Sequence, residues 1–169
     1  QEAGLELIDI AWYDLGQANA LWTAIYAPEI WEADQALFES DPDGIGEDVK
    51  GMITIGAALG LDGNAARPGL KVWQESFSKI FDRVELLALP TMPNFAPRID
   101  SINPESLLNI VIDMTRHVTV FNAAGTPCTA QPIPVKGSRL PASLELVGPH
   151  NSEALLLATA KSVEGAVSR

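Results

Sequence analysis

Residues 121–148 read FNAAGTPCTAQPIPVKGSRLPASLELVG, and their punctuation decides the fold. Gly125, with Pro127 just beyond it, is the pattern of a helix C-cap. The segments CTAQPIPV and LPASLELV are strand-like and are separated by KGSR, a polar turn containing Gly137, which predicts an antiparallel or crossing pair. Pro132, Pro134 and Pro141 cannot donate to a ladder, so these strands belong at an edge or at bulges. The stretch closes a core, yet it holds no residue set that could run a reaction.

Working upstream, Asn103 and Pro104 start a helix whose stripe Leu107, Ile110, Val111, Met114, Val118 and Phe121 runs on to Gly125. Before it, Glu85 to Thr91 (ELLALPT) is a short apolar run closed by proline, as expected for a strand buried on both faces of a parallel or mixed sheet. Ligands of α/β folds bind just past the carboxyl ends of such strands, which singles out Thr91, Met92 and Pro93. Pro68 suits the first turn of the preceding helix, where Trp73, Phe77, Ile80, Phe81 and Val84 form one apolar face. VKGMITIGAALGL reads as a short helix. Its neighbour DPDGIGEDVKG is a solvated connection: Asp41, Asp43 and Asp48 resemble a calcium loop, but the ligand order and closing Glu of an EF-hand are missing. Near the start, Gly4 to Ile10 is strand-like, and Asp14 with Gln17 forms a capping box for a helix carrying Leu21, Trp22, Ile25 and Tyr26, with a break expected near Ala27 ahead of Pro28. At the other end, Asn151 or Ser152 caps a last helix with Leu156, Ala160, Val163 and Val167 on one face. The alternation predicts an α/β fold: a small mixed β-sheet with covering helices.

At 169 residues and 47% hydrophobic, the chain can build one real core, so residues 1–169 are expected to form a single domain. A net charge of −11 with scattered Lys and Arg argues against nucleic acid as a partner. No run approaches the roughly 18 apolar residues of a membrane span, and QEAGLELIDI lacks the basic head and apolar body of a signal peptide. The single cysteine, Cys128, cannot make an internal disulfide and fits a reducing compartment, so the expected location is the cytoplasm. The first residue is Gln rather than Met, and a missing upstream portion is expected.

Catalytic chemistry is hard to find. The sequence has no G-x-S-x-G, no phosphate-binding glycine loop and no Cys/His metal spacing, so no catalytic residue, metal ligand or cofactor is assigned. His117 within a helix and His150 in a turn read as structural or surface residues. Cys128 reads as a small buried thiol at a strand start.

VELLALPTMP resembles the strand and loop D-x-L-L-x-P-T-x-P of the amidase signature family, and FNAAGTP followed by LPASLELVG resembles that family's F-N-x-x-G-x-P and G-L-P-x-G-x-Q-L-V-G. KVWQESFSKIFDRV is similar to the aromatic helix that precedes that strand. The resemblance is strong from Val84 to Val167 and weak before. It implies the C-terminal part of the amidase signature fold, in a hydrolase that cleaves carboxamides with a Ser nucleophile, a second Ser in a cis peptide and a Lys. Such an arrangement activates a weak hydroxyl through an adjacent base and offers backbone N–H groups to the oxyanion. In the family those residues lie before the region matched here, so the segment is expected to be inert alone, supplying outer strands and walls of the acyl pocket. Thr91 and Met92, with Thr119, Phe121 and Asn122, are then the residues nearest a small-molecule amide substrate. Ser143 stands where a glycine is usual, Glu145 where a glutamine is usual, and Ser138 and Arg139 replace the customary Asp-Gly. Two other readings stay open: part of a glutamine-dependent amidotransferase subunit, or a stand-alone non-catalytic interaction module. Open strand edges and an uncovered apolar face also predict a homo-oligomer.

Overall fold

The computed structural model describes residues 3–11 and 15–167. Two compact units divide the chain, one made of Gly16–Glu75 and the other of Gln1–Leu15 with Ser76–Arg169.

The first unit is helical. Helix α1 (Leu15–Ser40) runs for 26 residues straight through Pro28, so the break expected near Ala27 does not occur. The reason lies in what faces the weakened turn. A proline leaves the carbonyl four residues earlier without its helical donor, and here a side chain at Gly63 would meet the Ala24 carbonyl, while one at Gly56 would strike that of Ala27. Glycine at both places lets the backbones close over α1 where a side chain would hold them apart. Trp22 and Tyr26 stack on α1 at 5.9 Å, and Ala18, Ile25 and Ala27 are buried. Helix α2 (Glu47–Ala58) forms as its sequence predicts. Helix α3 (Gly63–Ser78) starts five residues before Pro68, earlier than predicted, because the Asp62 carboxylate accepts from Asn64 N at 2.9 Å and Ala65 N at 3.3 Å and so caps it. The Asp14 half of the expected capping box and the Asp48 side chain lie outside the described residues.

The second unit holds the sheet. Strands β1 (Leu87–Pro90), β2 (Cys128–Ile133) and β3 (Ala142–Val147) lie in the order β1-β3-β2, with both pairings antiparallel. The α/β class and the β2–β3 pair are as predicted, but the edge placement expected for both strands holds only for β2: β3 is central, because Pro141 precedes the strand and leaves its ladder donors intact. The placement of β1 in a parallel or mixed sheet, buried on both faces, is corrected: it is an antiparallel edge strand, half-buried and exposed in alternation. A continuous apolar run fits either setting, and only the partner decides. The strand expected over Gly4 to Ile10 does not form: Gly4 sits in a bend at φ 75° and residues 5–10 join no strand, with Leu7 and Ile8 exposed.

The aromatic stripe predicted as one helical face is split. Trp73 and Phe77 are buried on α3, and the chain then tightens into a 3-10 turn, Lys79–Asp82, which carries Phe81 edge-on to Phe77 at 5.5 Å. The helix expected from Asn103 to Gly125 is also two, α4 (Pro104–Thr115) and α5 (Val118–Ala124), parted at Arg116 and His117. Asn103 caps α4 through a reciprocal pair with Ser106, and Gly125 closes α5 in the left-handed region at φ 70°. Helix α6 (Glu153–Val167) packs on β2 and β3, with Leu156 and Val163 buried and Gln131 Nε2 donating to the Ala160 carbonyl at 2.7 Å.

The close approach at Gly56 is directly testable. Gly56→Ala places a methyl against the Ala27 carbonyl and is expected to destabilise the protein by about 1–3 kcal/mol. Gly51→Ala, on the same helix with open space around it, is expected to stabilise by about 0.5–1 kcal/mol. Thermal melts showing equal stability for the two variants would contradict the packing of α1 on α2.

Candidate functional site

The predicted pocket residues come from two segments, and one side chain ties them together. His117 sits at the parting of α4 and α5, with Nδ1 at 2.9 Å from the Pro90 carbonyl at the end of β1. A carbonyl only accepts, so Nδ1 is the protonated nitrogen of the ring. The bond anchors the turn into α5 beside the loop that begins with Thr91. His117 is thus a structural residue, as its sequence setting suggests, and its bond coincides with the break in the predicted helix.

Thr91 N donates to the Ser143 carbonyl at 3.3 Å, extending the β1–β3 ladder by one step, and Met92 N donates to Ser143 Oγ at 3.3 Å. Ser143, where a glycine is usual in the resembled pattern, therefore holds the loop after β1. Thr91 Oγ1 is sealed from solvent with no hydrogen-bond partner among the described residues. Within α5, Thr119 Oγ1 donates back to the Thr115 carbonyl at 3.2 Å, Phe121 is buried against Phe77 with ring centroids 6.1 Å apart, and Asn122 is exposed. Of the five residues expected nearest a substrate, Thr91, Met92 and Thr119 flank the His117–Pro90 tie, Phe121 points into the core, and Asn122 faces outward.

A second group emerges from the register. Side chains alternate across a strand, so Ser143, Glu145 and Val147 of β3 share a face, and Glu145 stands opposite Ala130 of β2 and Leu89 of β1. Glu145 is 2% exposed, the one buried charged side chain among the described residues, and its Oε2 has no hydrogen-bond partner. Burial pushes its carboxyl up to about 7, with the neighbouring Cys128 thiol acting in the opposite direction. Cys128 begins β2 one step diagonally from Glu145 and is exposed, not buried as its sequence suggested. It opens an edge strand whose alternate residues face outward. Desolvation, then the Glu145 charge and the hydrogen bond to it, push the thiol up to about 12. Sequence reasoning flagged Glu145 only as an added charge; two-residue alternation was the signal that could have placed it beside Cys128.

Among the described residues no group of three or more His, Cys, Asp or Glu side chains could hold a metal ion, and no helix is long and apolar enough to cross a membrane.

The Glu145 carboxyl links stability to pH. Its folded value of about 7 lies above its ordinary 4.5, so the folded state binds the proton more tightly. The stability this brings is full below pH 4.5 and is lost as pH rises through about 7, a change on the order of 3 kcal/mol. Glu145→Gln keeps the shape without the ionisation, so its melting temperature should fall less than that of the wild type between pH 4.5 and 8. Parallel melting curves for the two proteins across that window would contradict the assignment.

The same fold and sequence pattern recur in known proteins. The family model described as Amidase matches residues 2–157. The chain is 27% identical over 146 residues to the A subunit of the glutamyl-tRNA(Gln) amidotransferase of Neisseria meningitidis, covering 82% of this chain and 29% of that protein. It is 28% identical over 93 residues to the 2-amino-5-chloromuconic acid deaminase of Comamonas testosteroni, covering 54% of this chain and 20% of that protein. Among solved structures, the allophanate hydrolase of Kluyveromyces lactis superposes with TM-score 0.80 at 19% identity, covering 97% of this chain and 27% of the other. A 6-aminohexanoate cyclic dimer hydrolase bound to its substrate superposes with TM-score 0.75 at 20% identity, covering 98% and 38%. The chain thus spans less than two fifths of the length of each of these relatives. The superpositions show a shared fold, and the match over residues 2–157 establishes that this chain belongs to the amidase family.

Proposed function

We propose that this chain is the C-terminal region of an amidase-family hydrolase, acting on the carboxamide of a small molecule, whose reacting Ser, cis-Ser and Lys lie upstream of the matched region. The observation that carries the reading is the family match over residues 2–157, with the resembled motifs falling on β1 and its loop, the end of α5 up to Pro127, and β3. In this reading the region is inert by itself. Its part is structural and architectural: β1–β3–β2 completes a larger sheet, and the loop after β1, with its unpartnered Thr91 hydroxyl, forms part of the acyl-pocket wall together with Met92, Thr119 and Asn122, while Phe121 supports that wall from the core. A wall needs shape more than reactive groups, because catalytic rate comes from the nucleophile, its base and the oxyanion donors. The acidic composition and lone cysteine support a cytoplasmic location.

A second reading is favoured by the similarity to the A subunits of amidotransferases: the parent releases ammonia from glutamine for a partner protein. Glutamine against simple aliphatic and aromatic amides, assayed on the extended chain, separates the two.

Both outer strands of the sheet, β1 and β2, have one unpaired edge among the described residues. Left uncovered, such edges promote self-association, so the purified 169-residue chain is expected to hydrolyse no simple amide above background and to scatter light as an assembly larger than a monomer. Turnover of an amide by this chain unaided would overturn the functional reading. A monodisperse monomer at high concentration would overturn the association.

A further inference from the structure

The Cys128–Glu145 pair lies outside the residues assigned to the pocket wall and has a chemistry of its own. A thiol on the surface of an edge strand is ordinarily open to alkylating and oxidising agents, because it is accessible and ionises close to neutral pH. Here a carboxyl group sits beside it, set in the middle strand of the sheet, 2% exposed and with Oε2 lacking any hydrogen-bond partner. The register fixes the arrangement: Cys128 opposes Val147, and Glu145, two residues before Val147, lies diagonally on the same face. Diagonal neighbours on one face are within reach of a long side chain. Cys128 Sγ also lies 3.6 Å from the Thr126 carbonyl, which can accept its proton.

We propose that Glu145 guards the Cys128 thiol, holding it protonated so that the only cysteine of the chain, though exposed, resists modification by electrophiles and oxidants. Three physical effects act in one direction. A carboxylate beneath the sulfur repels the negative charge that ionisation would create. A carboxylate oxygen that accepts the S–H in place of the Thr126 carbonyl loses that bond when the proton leaves. The partly apolar face around the pair disfavours any additional charge. Its strand neighbours on that face carry no ionisable group: they are Leu87 and Leu89 of β1, Ala130 of β2, and Ser143 and Val147 of β3. Ionisable side chains on elements next to the sheet are His117, whose Nδ1 bonds the Pro90 carbonyl of β1, Glu153, Lys161 and Glu164 of α6, which is bonded to the sheet through Gln131, and His150, which lies near Gly125 at the end of α5. Desolvation first, and Glu145 after it, push the thiol up to about 12.

The chain has a single cysteine, so its labelling kinetics report on one atom. Iodoacetamide, a small neutral electrophile, should react with the native wild-type chain at pH 8 at least about tenfold more slowly than with the same chain in urea. The rate should still be climbing at pH 10. Glu145→Gln, checked for native circular dichroism, should react several-fold faster at pH 8, with its profile displaced to lower pH. Hydrogen peroxide should oxidise the thiol in the same order of rates. A native wild-type profile that levels off below pH 9.5 would overturn the proposal without any variant. So would a folded Glu145→Gln protein labelled within twofold of the wild-type rate.

Discussion

Strand β3 is hydrogen-bonded on both sides, and the unit containing Ser76–Arg169 is organised about that fact. A strand paired twice leaves no unsatisfied ladder groups, so its residues can be sealed from water at little polar cost. Glu145, Leu146 and Val147 are accordingly among the most buried residues of the chain. The ladder reaches past the strands at both ends, through Thr91 N to the Ser143 carbonyl and through Gly148 N to the Pro127 carbonyl. These two bonds tie β3, which carries one of the resembled motifs, to the loop after β1 and to the entry into β2, where the other two fall. A lost pairing on either side of β3 would expose backbone and loosen the position of both loops together.

The same strand explains the unusual chemistry of Glu145. On an exposed edge, a glutamate would reach water and behave ordinarily. On the central strand its carboxyl is trapped, and the neighbouring thiol shares the consequence. One substitution relative to the resembled pattern, Glu where Gln is usual, thereby couples the sheet to pH. Ser143 is the other departure on that face, and it has a plain structural use in holding Met92.

Much of this was legible in the sequence, for identifiable reasons. The paired strands around KGSR, the cap at Asn103 and the αL closure at Gly125 are local signals, and the structure follows each. What the sequence could not supply were facts that depend on a distant partner. ELLALPT reads as a buried strand of a parallel sheet because apolar runs do not reveal the direction of their neighbour. Pro28 reads as a helix break because the glycines that accommodate it, Gly56 and Gly63, lie elsewhere in the chain. The parting of α4 from α5 leaves no proline or glycine signature, since it accompanies a bond from His117 to a carbonyl 27 residues earlier. The candidate site followed the same rule: its segments were named by motif, while the contact joining them was invisible.

The dominance of β3 can be measured directly by native-state hydrogen exchange on the 169-residue chain. The amides of Glu145, Leu146 and Val147 should be the slowest to exchange within Ser76–Arg169, opening only with global unfolding, while those of β1 and β2 open earlier. If the β3 amides exchange before those of α5 or α6, the sheet is not what holds this unit together, and the account built on it is wrong.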